Sequence, residues 1–196
     1  MISNPPTRQE AWELFSRYNQ SESLIKHALA VEGVMRYMAR KYGEDSEKWG
    51  IIGLLHDLDY EKFPDQHCVM AEKIMQEEGW PGEYIHGVLS HAWGIRSDAE
   101  PSCLMEKVLF AVDELTGLVV TSALVRPSRS VMDMEARSVK KKWTDKRFAA
   151  GVDRTVIEKG AAMLGVSLDE LITDTIMGMR EVADTIGLRG NPDQGR

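Results

Sequence analysis

Apolar residues recur at steps of three and four along most of the chain, and no segment alternates convincingly with period two, which predicts an all-α protein. After Pro5-Pro6, Thr7 is placed to cap a first helix, Arg8 to about Tyr18, with Trp12, Leu14 and Phe15 on one face. Ser21 opens a longer helix through Tyr42, striped by Leu24, Ala28, Val31, Met35 and Met38, with His27 beside the stripe and Gly43 as its C-cap. Asp45 or Ser46 starts a third helix that carries Trp49, Ile52 and Leu55 and finishes in His56-Asp57.

Leu58 to Gln66 reads as a loop, because Asp59, Pro64 and Asp65 interrupt any period. His67 is expected to begin the next helix, whose apolar positions are Ala71, Ile74 and Met75. Pro81 suits the first turn of a fifth, bearing Ile85, Val88 and Leu89 together with His86 and His91 and expected to stop at Gly94. Ser102 to about Val125 is the longest apolar helix, and Asp113 stands in its middle. Arg126-Pro127-Ser128 breaks the pattern before a basic stretch, Arg137 to Lys142. Two amphipathic helices follow, about Asp153 to Leu164 and Leu168 to Ile186, the second with Ser167 and Glu170 at capping-box distance. These breaks divide the chain into a helical domain over 1–126 with its core at about 20–126, a C-terminal helical subdomain over 127–187 packed on it, and a flexible Gly, Asn, Pro and Gln-rich tail over 188–196.

The 196 residues are enough to bury a real core. A net charge of -7 argues against sequence-independent binding of a nucleic-acid polymer, which needs a basic footprint, but a local basic cluster can still take a small phosphorylated substrate. Cys68 and Cys103 have no metal-type spacing, so neither a disulfide framework nor a thiolate zinc site is indicated. No stretch approaches a membrane span and the N-terminus lacks a signal-peptide pattern, so the expectation is a cytoplasmic protein with no membrane partner.

The apolar faces carry side chains that burial penalises unless something pairs with them. Adjacent His56 and Asp57 end one apolar run, and His27, His67, His91 and Asp113 lie on or beside others. Bundles build metal sites from inward ligands on facing helices, and these six residues come from five predicted segments. Imidazole and carboxylate donors without thiolate suit Fe, Mn, Co, Ni, Zn or Mg, one or two ions. His86, about 140° around the helix from His91, is at best a pocket residue.

The order His27, His56-Asp57, Asp113 resembles the H…HD…D signature of the HD-domain superfamily of metal-dependent phosphohydrolases over roughly residues 20 to 126. The resemblance implies an HD-like helical bundle with a C-terminal helical extension, in which those four side chains hold one metal. His67 and His91 resemble the two further histidines that bind a second metal in some members, with Asp57 bridging, and such a site activates a bridging water against a phosphate ester. It implies a phosphohydrolase acting on a small, nucleotide-like phosphate ester. A minority of relatives with the same six ligands are di-iron oxygenases, and a metal-stabilised sensor or interaction module is the non-enzymatic alternative. Asp57, Asp59, Glu72 and Glu114 are the catalytic candidates, the last three as general acid or base. Many relatives follow the HD pair with Ile-Gly-Lys, whereas this chain has Leu58-Asp59-Tyr60-Glu61-Lys62. Lys62, Arg126 and Lys141 are the candidate substrate-binding cations, and the C-terminal helices are free either to close over the pocket or to make a homodimer.

Overall fold

The computed structural model describes residues 2–190, and the six residues of the tail beyond Gly190 lie outside that range. Among the described residues there are nine α-helices and no strand. They are α1 (Arg8–Tyr18), α2 (Glu22–Tyr42), α3 (Ser46–Leu55), α4 (Val69–Glu77), α5 (Gly82–Ser90), α6 (Leu104–Leu124), α7 (Ala136–Lys140), α8 (Arg154–Leu164) and α9 (Leu168–Glu181). None is long and apolar enough to cross a membrane.

Local chemistry accounts for the ends. Thr7 and Glu10 close a capping box on α1, and the Asp45 carboxylate accepts the Glu47 and Lys48 amides at the start of α3. Gly43 ends α2 in the left-handed conformation, where a side chain is penalised.

Three boundaries differ from expectation. Helix α4 starts at Val69, not His67, because Cys68 takes a positive φ of 71° that no helix tolerates. Helix α5 ends at Ser90 and passes into a tight turn at Gly94, and α9 ends at Glu181 rather than Ile186. The basic stretch before Trp143 contains the short helix α7, which its few apolar positions do not announce.

Helices α2 and α6 form the centre. Helix α2 packs on α3, α6 and α9, while α6 also receives α5 and α8. The approach is closest at two glycines. A Cβ on Gly178 would stand 2.6 Å from the Val34 Cα, and one on Gly160 would stand 2.5 Å from the Ala111 Cα. One core cluster includes Met35, Leu54 and Leu109 as well as Ile157, Leu171 and Met179, so apolar contact continues from the first helices to the last. This frame leaves His27 on α2, His56 and Asp57 at the end of α3, His91 at the end of α5 and Asp113 on α6 facing a common space.

Candidate metal centre

His56 is fully buried and its Nδ1 lies 2.8 Å from the Gly53 carbonyl. A carbonyl only accepts, so Nδ1 carries the proton and Nε2 turns its lone pair inward. His91 repeats the device: Nδ1 lies 2.6 Å from the Val88 carbonyl. Both histidines sit at helix C-caps, where carbonyls lack intrahelical partners. His67 reaches the same state through Asp59, whose Oδ1 takes Nδ1 at 2.8 Å.

The inward nitrogens meet in pairs. His27 Nε2 is 3.1 Å from His56 Nε2, and His67 Nε2 is 3.1 Å from His91 Nε2. Each pair either shares a proton or, as two facing lone pairs, repels unless a cation stands between them. Asp113 Oδ1 adds to the first pair, at 3.0 Å from His27 and 3.3 Å from His56. Asp57 serves both: Oδ2 is 3.3 Å from His56 and 3.7 Å from His27, while Oδ1 is 3.5 Å from His67 and 3.8 Å from His91.

The electrostatics call for positive charge. Burial pushes the His56 imidazole toward its neutral form, but the carboxylates of Asp57 and Asp113 outweigh it and raise its pKa well above the ordinary value. Burial likewise disfavours the two carboxylates in their ionised form, yet the His56 charge, seconded by His27, holds both below the usual carboxylate range. Burial, with the charge of His56 beside it, keeps His91 below the ordinary histidine value, in the neutral form that is able to ligate a metal. A proton on His56 thus answers a field that a divalent ion would answer better.

A cavity of about 550 Å³ opens over this centre, lined among others by His27, Asp57, His67, His91, Asp113 and Glu114. Burial and the neighbouring Asp113 push the Glu114 carboxyl up to about 7, and its Oε2 accepts the Asp153 amide at 3.2 Å. A larger cavity, about 790 Å³, lies beside α1 away from all six of these residues.

The other sequence candidates are placed elsewhere. Asp59 is fully buried with both oxygens engaged, by His67 and by the Ala71 amide at 2.8 Å, so it orients His67 rather than facing the cavity. Glu72 is exposed on α4 and receives Gln76 at 3.1 Å. Lys62 donates to the Arg17 carbonyl at 2.5 Å and lies over Tyr18. Arg126 is tied to Asp133 and Ser138 at 2.6 and 3.1 Å, and Lys141 is exposed at the end of α7. These three cations line neither the centre nor its cavity. His86 pairs with Glu106 at 2.7 Å, away from the site.

Three residues escape the sequence pattern. Cys68 has its sulfur grouped with ring nitrogens of His67 and His91, all within 4.8 Å, and its place next to His67 was the available signal. Tyr60 stacks edge-on against His67, 5.2 Å between ring centroids. Arg96 lines the cavity from the turn after α5, with no motif to mark it.

Residues 24–118 match the family model of the HD domain. Ribonuclease Y of Nitratidesulfovibrio vulgaris strains DP4 and Hildenborough is 27% identical over 109 residues, 54% of this chain and 20% of each relative. Ribonuclease Y of Oleidesulfovibrio alaskensis is 25% identical over 108 residues, again 54% of this chain and 20% of the relative. The chain thus spans about a fifth of the length of the curated relatives it matches. No solved structure matches it.

Proposed function

Residues 24–118 make this chain a member of the HD-domain family, and from that premise we propose that it is a metal-dependent phosphohydrolase acting on a phosphate ester of a small, nucleotide-like molecule. The observation that carries the reading is the meeting of four imidazoles, two by two through Nε2, on either side of one carboxylate. The donor set fits hard or borderline divalent ions. His27, His56, Asp57 and Asp113 would hold one, and Asp57, His67 and His91 a second.

Bound there, such ions supply Lewis acidity toward phosphoryl oxygens and lower the pKa of a water from about 15.7 toward about 7. The chain supplies the rest. The Gly53 and Val88 carbonyls and Asp59 hold three imidazoles in the ligating tautomer. Glu114, whose carboxyl burial and the neighbouring Asp113 push up in the same cavity, is the proton donor to the departing oxygen in this reading. The net charge of -7 favours a small substrate over a polymer, although the relatives are named as ribonucleases.

The test is metal per chain by elemental mass spectrometry on protein purified without chelator or affinity metal, followed by phosphate-ester hydrolysis with and without dioxygen. His56→Ala and Asp57→Ala are each expected to lose metal and activity together. A variant that keeps both overturns the reading, and turnover that requires dioxygen replaces it with a di-iron oxygenase.

A further inference from the structure

Arg96 stands where the cavity over the metal centre continues into a second groove. The first cavity and an adjoining one of about 400 Å³ share Asp65, His67, Ile95 and Arg96 along their walls. Arg96 is the one lysine or arginine lining either of them among the described residues. Asp65 and Asp98 line the outer groove, yet neither comes within ion-pair distance of the guanidinium, which makes no hydrogen bond among the described residues. An arginine held among acids without pairing any of them keeps its five donors free for a ligand.

Its position is fixed by the backbone. The amides of Ile95, Arg96 and Ser97 all donate to the Ala92 carbonyl, at 3.0, 3.0 and 3.2 Å, and the Gly94 amide donates to the Ser97 carbonyl at 2.9 Å. Gly94 sits at a φ of 76°, which closes the turn. The turn begins one residue after His91, so the path from the metal centre to Arg96 is short and stiff. Apolar surface gathers along the same route. Of the six exposed large hydrophobic side chains among the described residues, Tyr60, Val69 and Ile95 all line these two adjoining cavities. Concentration at one place, beside a site, marks a binding surface rather than scattered exposure.

The geometry points to Arg96 as the anchor for a second anionic group of the substrate, beyond the phosphate that reacts at the His/Asp centre, with the linking part of the molecule on Tyr60 and Ile95. The inference rests on the hydrolase reading and narrows its substrate class. The leaving group carries its own phosphate or carboxylate, which a guanidinium takes in a bidentate fashion, and the hydroxyl or amino groups that Asp65 and Asp98 accept.

Non-hydrolysable probes test this without turnover. Calorimetric titration of the protein as purified, with metal content checked afterwards, compares methylphosphonate with α,ω-bisphosphonates of one to four methylene groups. Arg96→Ala is expected to weaken the best bisphosphonate about tenfold or more, the loss of a charged hydrogen bond, while methylphosphonate changes by less than about twofold. Arg96→Lys is expected to fall between. Arg96 is exposed, so the fold tolerates both changes. Equal loss for both probe types, no loss for the bisphosphonates, or no bisphosphonate preference in the wild type overturns the anchor. Bisphosphonate binding that depends on Arg96 but survives His56→Ala overturns the hydrolase reading and leaves the anchor standing.

Discussion

His67 donates from Nδ1 to Asp59 Oδ1 at 2.8 Å, and that contact turns its Nε2 toward His91, 3.1 Å away. The second Asp59 oxygen accepts the Ala71 amide at 2.8 Å, which ties the first turn of α4 to the loop after the HD pair. One buried carboxylate therefore sets both the His67 tautomer and the helix that follows it. Asp59→Asn replaces one acceptor by a donor that faces either Nδ1–H or the Ala71 N–H. The expected result is a 10 to 100-fold weaker second metal, on the order of what such supporting contacts contribute. A stability loss of about 1–3 kcal/mol accompanies it. Metal titration and urea unfolding read the two effects separately, and a variant with wild-type occupancy at both positions sinks the assignment.

Much of this centre is legible in the sequence because it violates the sequence's own pattern. His56-Asp57 and Asp113 interrupt apolar helical faces, and a face that buries a charge must pair it. Asp59 gives no such signal, since an acid in a loop reads the same whether solvated or fully buried. Its burial depends on where His67 and Ala71 come to lie, which follows from the positive φ at Cys68 that no residue type announces. Lys62, Arg126 and Lys141 read as phosphate binders by charge alone, and two of them are engaged by Arg17 and Asp133. Arg96 lies in a turn, where periodicity carries no information, and its place follows from how α5 ends.

Glu106 holds the junction of α5 and α6 through charge. Its carboxylate accepts the Ser102 amide at 2.7 Å and the Ser102 hydroxyl at 2.9 Å, and it pairs with His86 at 2.7 Å. Burial raises its pKa, but the Ser102 amide and His86 outweigh burial and hold it below the ordinary value of 4.5. A folded-state pKa below the unfolded one means stability that is fully present above the unfolded value and lost as pH falls through the folded value. Urea midpoints are therefore expected to drop below pH 4.5. Glu106→Gln is expected to flatten that dependence and to cost about 1–2 kcal/mol at pH 7. An unchanged acid limb in the variant refutes the role.

Gly160 is where α8 rests on α6. A Cβ there would stand 2.5 Å from both the Cα and the Cβ of Ala111, two residues before Asp113, and backbone cannot give way as a flexible side chain can. Gly160→Ala is expected to cost about 1–3 kcal/mol by overpacking. Because Asp113 follows Ala111 on α6, metal retained per chain is expected to fall with it. Gly117→Ala on α6 is the control: its Cβ would meet only a Val152 methyl at 3.6 Å, so no loss of stability is expected in thermal unfolding.

Arg154 organises one wall of the cavity without touching its chemistry. Its guanidinium donates to the carbonyls of Phe148 at 2.7 Å, Asp145 at 3.1 Å, Val152 at 3.3 Å and Lys142 at 3.5 Å. Segment 142–152 is irregular, so its carbonyls lack helical partners, and one planar fork gathers four of them. That segment brings Gly151 to the cavity wall, and the Asp153 amide just beyond it donates to Glu114. Arg154→Ala is expected to raise amide exchange across 142–152 while exchange in α2 and α3 stays unchanged, because local opening needs no global unfolding. Arg154→Lys cannot reproduce the fork and is expected to rescue little. Substrate KM rises in both variants with metal content intact, since the loop bounds the cavity and holds no ligand. Uniform exchange across 142–152 in wild type and variant would show that the wall stands without the arginine.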